Sequence, residues 1–201
     1  MRRTAKRRKN RQANAWLVCG AMLLLMFIVV LGFALRGGYD TFMRAVYPIK
    51  YTDTVKQACE DFNVSESLVY AIIRNESDFD PQALSVADTR GLMQVTKTGL
   101  EWAQIRADEF DGVTVDGLYD PVVNIRCGVY IMSLLFEEFD SEQAVIAAYN
   151  AGIGNVQEWL ADESYSADGI TLHTVPFEET RHYIRRVTAS RDMYQAYYEL
   201  S

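Results

Sequence analysis

Apolar positions along the chain follow two patterns. The first is a block. From Gln12 to Leu35 no residue in 24 is charged, and its densest part is WLVCGAMLLLMFIVVLGFAL, Trp16 to Leu35. Those 20 residues form a helix about 30 Å long, the thickness of a bilayer's hydrocarbon core. They predict one transmembrane helix over 16–35. Gly37-Gly38 predicts a break after it.

The second pattern is apolar residues three and four apart, which predicts amphipathic helices. Tyr51, Val55, Cys59 and Phe62 mark one such helix. Ser65 caps a second, with Leu68, Val69, Ile72, Ile73 and Glu76 along or beside one face. Pro81 and the polar stretch Asp78 to Arg90 end it. A short helix is expected over Lys97 to Ile105. In Glu109 to Pro121, Asp111-Gly112 and Asp116-Gly117 flank Val113 to Val115, which suggests a small hairpin. A long helix is expected from Asn124 to Phe139, then one capped by Ser141 and ending near Gly152-Ile153-Gly154. Val156, Trp159 and Leu160 mark a short helix, Ser164 to Thr171 a loop, and the last helix starts near Glu178. The fold class is mainly α: a helical domain behind one N-terminal transmembrane helix.

Charge sharpens the first pattern. Met1 to Arg11 carry seven positive charges and no acid, whereas Arg36 to Ser201 carry 13 Lys and Arg against 27 Asp and Glu. A basic stretch before an apolar segment stays cytoplasmic, so the acidic part faces outward. The layout expected is a basic cytoplasmic segment at 1–15, the span at 16–35, a linker at 36–48 and a helical domain at 49–201. Trp16 belongs near the inner interface. A cleaved signal peptide also has a basic front and an apolar middle, but no clear A-x-A site follows here. Cys19 lies near the start of the apolar run, where a lipid-modified cysteine would not sit. The basic front reads as a topology signal, not a nucleic-acid surface. Two histidines and three cysteines argue against a metal site rich in either, and no cofactor is implied. Cys59 and Cys127 lie in the outward part, where one disulfide between them and two buried thiols are both open readings.

One acid stands out. Glu76 lies on the apolar side of its helix and near the C-terminal end, where the helix dipole disfavours negative charge. Burial does the same. Both raise its pKa, which suits a general acid. The plainer alternative is a helix-end acid turned to solvent. Glycosidases usually pair two carboxylates, and Asp78, Asp80 and Asp88 are nearby in sequence without spacing that singles one out.

Around Glu76 stand ESDFDPQALS (Glu76 to Ser85) and GLMQVT (Gly91 to Thr96). YDPVVNIRCGVYIMSLLFEEF (Tyr119 to Phe139), AVIAAYNAGIGNVQEWL (Ala144 to Leu160) and VPFEETRHYIRRV (Val175 to Val187) follow in order. This series resembles the lytic transglycosylase domain family called SLT, over about Tyr47 to Glu199. The resemblance implies a helical, lysozyme-like fold similar to goose-type lysozyme. It implies cleavage of the β-1,4 bond between N-acetylmuramic acid and N-acetylglucosamine in peptidoglycan, leaving 1,6-anhydromuramic ends. Glu76 matches the family's single catalytic glutamate and Ser77 its neighbour. Gly91, Leu92, Met93 and Gln94 match one glycan-cleft motif, and Tyr149, Asn150, Ala151 and Gly152 the next. Tyr183 matches the tyrosine placed near the acid. Gln94 and Asn150 are expected to read sugar groups or, alternatively, to tie loops; Tyr149 to stack on a sugar or to pack.

Two departures are visible. Lys97 stands where the family commonly has proline, and Ala87-Asp88-Thr89-Arg90 precedes the Gly91 motif where Gly-Ala is common. Arg181 and Glu179 read as helix-anchoring groups, and His173 and His182 lack metal-ligand spacing. The expected partners are peptidoglycan glycan strands and, through 16–35, the lipid bilayer of the bacterial cytoplasmic membrane. Partners in an envelope assembly are left open. A hydrolytic muramidase with the same cleft and an inactive peptidoglycan-binding module are the alternatives.

Overall fold

A computed structural model describes residues 2–200, with side chains described at Met22 and from Leu24 onward. The side chains of the basic segment, Trp16 and Cys19 lie outside the described residues. The chain divides into two units, 1–48 and 49–201.

The first unit is one helix, α1 (Arg2–Val46), 45 residues long. The break expected at Gly37-Gly38 is absent, and most of the expected linker is helical. Each glycine costs about 1 kcal/mol relative to alanine, yet keeps its N–H donor, so a pair weakens a helix without stopping it as proline would. Thr41 Oγ1 donates to the Gly37 carbonyl at 2.9 Å, bracing the same stretch. Among the described residues, Leu24–Val46 is long and apolar enough to cross a membrane. Its large side chains from Leu24 to Leu31, with Phe33 and Leu35, are exposed. A signal sequence has the same character.

The second unit is built from α2 (Thr52–Phe62), α3 (Glu66–Ser77), α4 (Lys97–Gln104), α5 (Pro121–Glu138), α6 (Glu142–Ala151), α7 (Ile153–Ala161) and α8 (Glu178–Tyr198). It is all-α. Among the described residues the only β pairing is two isolated bridges, Leu84 with Arg90 and Arg90 with Val95. The expected hairpin does not form. Two 3-10 turns, Asp108–Phe110 and Val115–Tyr119, take its place. Gln104 Nε2 donates to the carbonyls of Phe110 (3.1 Å) and Val113 (2.9 Å), using acceptors that a strand partner would need.

Caps explain several boundaries. Ser65 Oγ accepts from the Leu68 amide at 3.4 Å and opens α3 as expected. α5 starts three residues earlier than its apolar spacing predicts. Asp120 Oδ1 accepts from the amides of Val122 (2.8 Å) and Val123 (3.1 Å), and Pro121 supplies a pre-set φ at the first helical position. Ser141 holds the cap position of α6, but its side chain makes no capping bond.

The core forms where α3 packs along α8 and α2 along α5. Leu68, Ile72 and Ile73 are fully buried. Tyr70 and Tyr194 lie with ring centroids 5.4 Å apart, and Asn75 Nδ2 donates to Ser190 Oγ at 3.1 Å, so α3 and α8 are fixed by packing and by a polar tie. Cys59 and Cys127 are buried free thiols, so the disulfide reading is set aside. Burial, with smaller contributions from nearby glutamates, pushes both up to about 12, which leaves them unreactive.

Candidate active site

α3 ends where the site begins. Asp78 turns left-handed (φ 50°), and its amide caps the helix on the Arg74 carbonyl at 3.2 Å. The last turn therefore presents Glu76 and Ser77. Glu76 is half-buried. Tyr183, on α8 and 2% exposed, donates its hydroxyl to Glu76 Oε1 at 2.5 Å. Burial raises the Glu76 carboxyl most; the Tyr183 bond and the Arg186 charge pull the other way. The result is a carboxyl pushed up from 4.5 to about 7. Burial first, then the neighbouring carboxylate, holds Tyr183 well above 10, so it stays a neutral donor.

The other acids near Glu76 in sequence are engaged elsewhere. Asp88 pairs with Arg90 at 2.9 Å, Asp80 accepts from the Gln82 amide at 2.9 Å, and Asp78 is exposed at the helix cap. Among the described residues, Tyr183 is the hydrogen-bond partner of the Glu76 carboxyl.

The segment Arg90 to Val95 joins these parts. Ser77 Oγ lies 2.8 Å from the Leu92 carbonyl and 3.1 Å from that of Ile73, so Ser77 ties α3 to this segment. Tyr149 Oη donates to the Met93 carbonyl at 2.8 Å. Leu92 and Met93 are fully buried, so their side chains belong to the core and their backbone to the site. Met93 rests on Gly128 of α5, where a Cβ would fall 2.5 Å from its sulfur. Gln94 is committed to the segment: Nε2 donates to the carbonyls of Gly91 (2.9 Å) and Ala83 (3.2 Å), and Oε1 accepts from Thr89 (2.6 Å). Loop-tying, not sugar reading, is what these bonds perform.

Asn150 Oδ1 accepts from Thr180 at 2.8 Å, which fastens α6 to α8. Ala151 ends α6, and Gly152 turns the chain into α7 at φ 89° and ψ 150°, a conformation essentially reserved for glycine. A cavity of about 920 Å³ opens here, lined by Gln94, Tyr149, Asn150, Ala151 and Gly152, with Lys97 and Trp102 from α4. Glu76 is not part of its wall. Tyr149 links the two: it lines the cavity, while burial first and the Glu76 carboxylate second raise its phenol well above 10.

The departures at Lys97 and at 87–90 are accommodated. Thr96 Oγ1 accepts from the Gly99 amide at 2.8 Å and starts α4 without a proline. Lys97 reaches Glu101 at 3.7 Å. Arg181 donates to the carbonyls of Val175 (2.6 Å) and Pro176 (3.0 Å), the anchoring role expected of it. Among the described residues no group of three His, Cys, Asp or Glu could hold a metal.

Three residues escaped the sequence reading. Arg186 is three positions after Tyr183, hence on the same face of α8, and acts on Glu76 by charge. Thr180 binds Asn150. Asn124 is a fully buried amide in an otherwise apolar stretch of α5. A polar residue at a core-facing position was the available signal.

The second unit is all-α and sets a raised carboxyl, held by a buried tyrosine, at the end of α3. The Transglycosylase SLT domain model matches residues 53–170, and the chain belongs to that family. It is 32% identical over 155 residues to the soluble lytic murein transglycosylase of Escherichia coli K12, covering 76% of this chain and 23% of that one. It is 33% identical over 168 residues to membrane-bound lytic murein transglycosylase C of Serratia proteamaculans, covering 73% of this chain and 47% of that one. Among solved structures, the 70 kDa soluble lytic transglycosylase of Escherichia coli superposes with a TM-score of 0.68 at 26% identity, over 81% of this chain and 27% of that one. An inactive glutamate-to-glutamine mutant of the lytic transglycosylase Slt from Pseudomonas aeruginosa gives 0.65 at 28%, over 76% and 25%. The chain thus spans about a quarter to a half of the length of these relatives.

Proposed function

We propose that the chain is a lytic transglycosylase acting on peptidoglycan glycan strands, with Glu76 as acid and then base. The observation that carries this is the half-buried Glu76 carboxyl, pushed up to about 7 and held by Tyr183 at 2.5 Å. Such a group is substantially protonated near neutral pH, yet ionises readily, so it can both give and take a proton.

The reaction balances with that one group. Protonated Glu76 donates to the bridging glycosidic oxygen as the bond from that oxygen to muramic C1 breaks. The substrate's own N-acetyl oxygen stabilises C1, a substrate-assisted course that dispenses with a second carboxylate. The C6 hydroxyl then closes on C1, its proton passes to the Glu76 carboxylate, and the acid is regenerated. Tyr183 orients the carboxyl throughout. Tyr149, Asn150 and Gly152 wall the cavity that takes neighbouring sugars, and Gln94 keeps its rim in shape. The glutamate-to-glutamine change in the inactive Pseudomonas aeruginosa relative supports a glutamate in this role.

The apolar part of α1 anchors the chain in the cytoplasmic membrane with the acidic part outside. Its support is the basic front, the uncharged run and the exposed apolar side chains from Leu24 to Leu35. Recovery of the chain in the soluble fraction, trimmed of residues 1–35, would overturn the anchor and leave the chemistry untouched.

The reaction type is tested by the mass of the new chain ends after digestion of purified glycan strands. Anhydromuramic ends, lighter than reducing ends by one water, are expected. Reducing ends alone would make the chain a hydrolase.

A further inference from the structure

We propose that Asn124 is a positioning residue for this cleavage, holding the Arg90–Val95 segment in the register that Tyr149 and Ser77 need. The inference rests on the reading of Glu76 as the acid. Asn124 is fully buried on the first turn of α5. Its Oδ1 accepts from the Met93 amide at 2.7 Å. Its Nδ2 donates to the carbonyls of Arg90 and Leu118, both at 2.8 Å. One amide therefore uses both protons and its oxygen on three backbone groups, two of which bracket Gly91-Leu92.

Those are the groups next to the site's own contacts. The Met93 N–H that Asn124 receives is followed, in the next peptide group, by the Met93 carbonyl that receives Tyr149 Oη (2.8 Å). The Leu92 carbonyl, in the same peptide group as that Met93 N–H, receives Ser77 Oγ (2.8 Å), and Ser77 adjoins Glu76 on α3. The fit has no slack on the other side, because a Cβ on Gly91 would fall 2.3 Å from Asn124 Nδ2. A shorter side chain at 124 frees the segment, and the shift is delivered to Tyr149 and Ser77 together. Leaving backbone groups buried without partners is costly, so relaxation of the segment is the expected response.

The prediction concerns turnover. Asn124→Ala in the full chain should lower kcat by on the order of 10- to 100-fold, the scale of a small misplacement of reacting groups. KM should move less than kcat, because Asn124 itself does not line the cavity. Tyr149→Phe should lower kcat in the wild-type background and add little in Asn124→Ala, since both act on the Met93 backbone, one at its N–H and the other at its carbonyl. Amide exchange gives a readout independent of cleavage: Met93 should lose protection in Asn124→Ala while the α8 amides keep theirs. Asn124→Ser, which leaves a hydroxyl and room for a water, should recover part of both.

Multiplicative effects of the two substitutions, or unchanged Met93 exchange, would overturn the proposal. So would loss of a cooperative melt in both variants, which would make Asn124 a folding residue. Absence of cleavage by the wild type would instead overturn the activity, and the exchange experiment would still decide whether Asn124 holds the segment.

Discussion

Replacing Glu76 with Gln should lower glycan cleavage on the order of a thousandfold or more, because the proposed reaction assigns both proton transfers to this one side chain and each is worth roughly 10²–10⁴. The fold should survive. The glutamine oxygen can still accept from Tyr183, whose hydroxyl lies 2.5 Å from Glu76 Oε1. Stability supplies an independent check, and its sign is fixed by the raised carboxyl. Between pH 4.5 and about 7 the native Glu76 holds its proton more tightly than the unfolded chain does. Stability therefore falls as pH rises through that window and stays lower above it. The full linkage penalty is about 3 kcal/mol. Glutamine does not titrate, so Glu76→Gln should melt several degrees higher than wild type at pH 8, with the difference shrinking toward pH 4.5. Equal melting temperatures at pH 8 would show that Glu76 is an ordinary solvated carboxylate.

Gly91→Ala should be severely destabilising for so small a change. Gly91 sits at φ 74°, and an added Cβ would lie 2.3 Å from Asn124 Nδ2 and 2.4 Å from the Leu118 carbonyl. Left-handed strain costs about 1–2 kcal/mol, and forced displacement in a packed interior adds about 1–3 kcal/mol. The expected total is about 2–5 kcal/mol, read as a lower urea midpoint. Gly112→Ala is the matched control. Gly112 has nearly the same φ, 72°, but nothing lies within 4 Å of the added Cβ, so only the strain remains. Similar losses in the two variants would mean that the segment yields without disturbing Asn124.

Much of this was legible because helices announce themselves through spacing. Ile72, Ile73 and Glu76 share one side of α3, which leaves a buried carboxyl and a helix-end acid turned to solvent both open; the motifs around Glu76 are what single it out. What spacing does not carry is how loops close. The Glu109 to Pro121 stretch has hairpin-like turns, yet Gln104 from α4 takes the backbone acceptors instead. Gly37-Gly38 looked like a break because glycine is a poor helix former, but a weak preference yields to the helix on either side of it. Leu92 and Met93 belonged to a cleft motif, and the motif could not say that their backbone, not their side chains, serves the cleft. Asn124 reads in the sequence only as the start of a helix, because its three backbone partners lie 6, 31 and 34 residues away along the chain.

Counting new anhydromuramic ends against pH, with wild-type chain and Glu76→Gln on the same purified glycan strands, tests the central claim most directly. The account predicts anhydro ends from the wild type, with kcat/KM falling about tenfold per pH unit once Glu76 has lost its proton, above about 7. It predicts essentially none from the glutamine variant. Anhydro ends formed by Glu76→Gln at the wild-type rate, or a wild-type rate that does not change from pH 6 to pH 9, would contradict it.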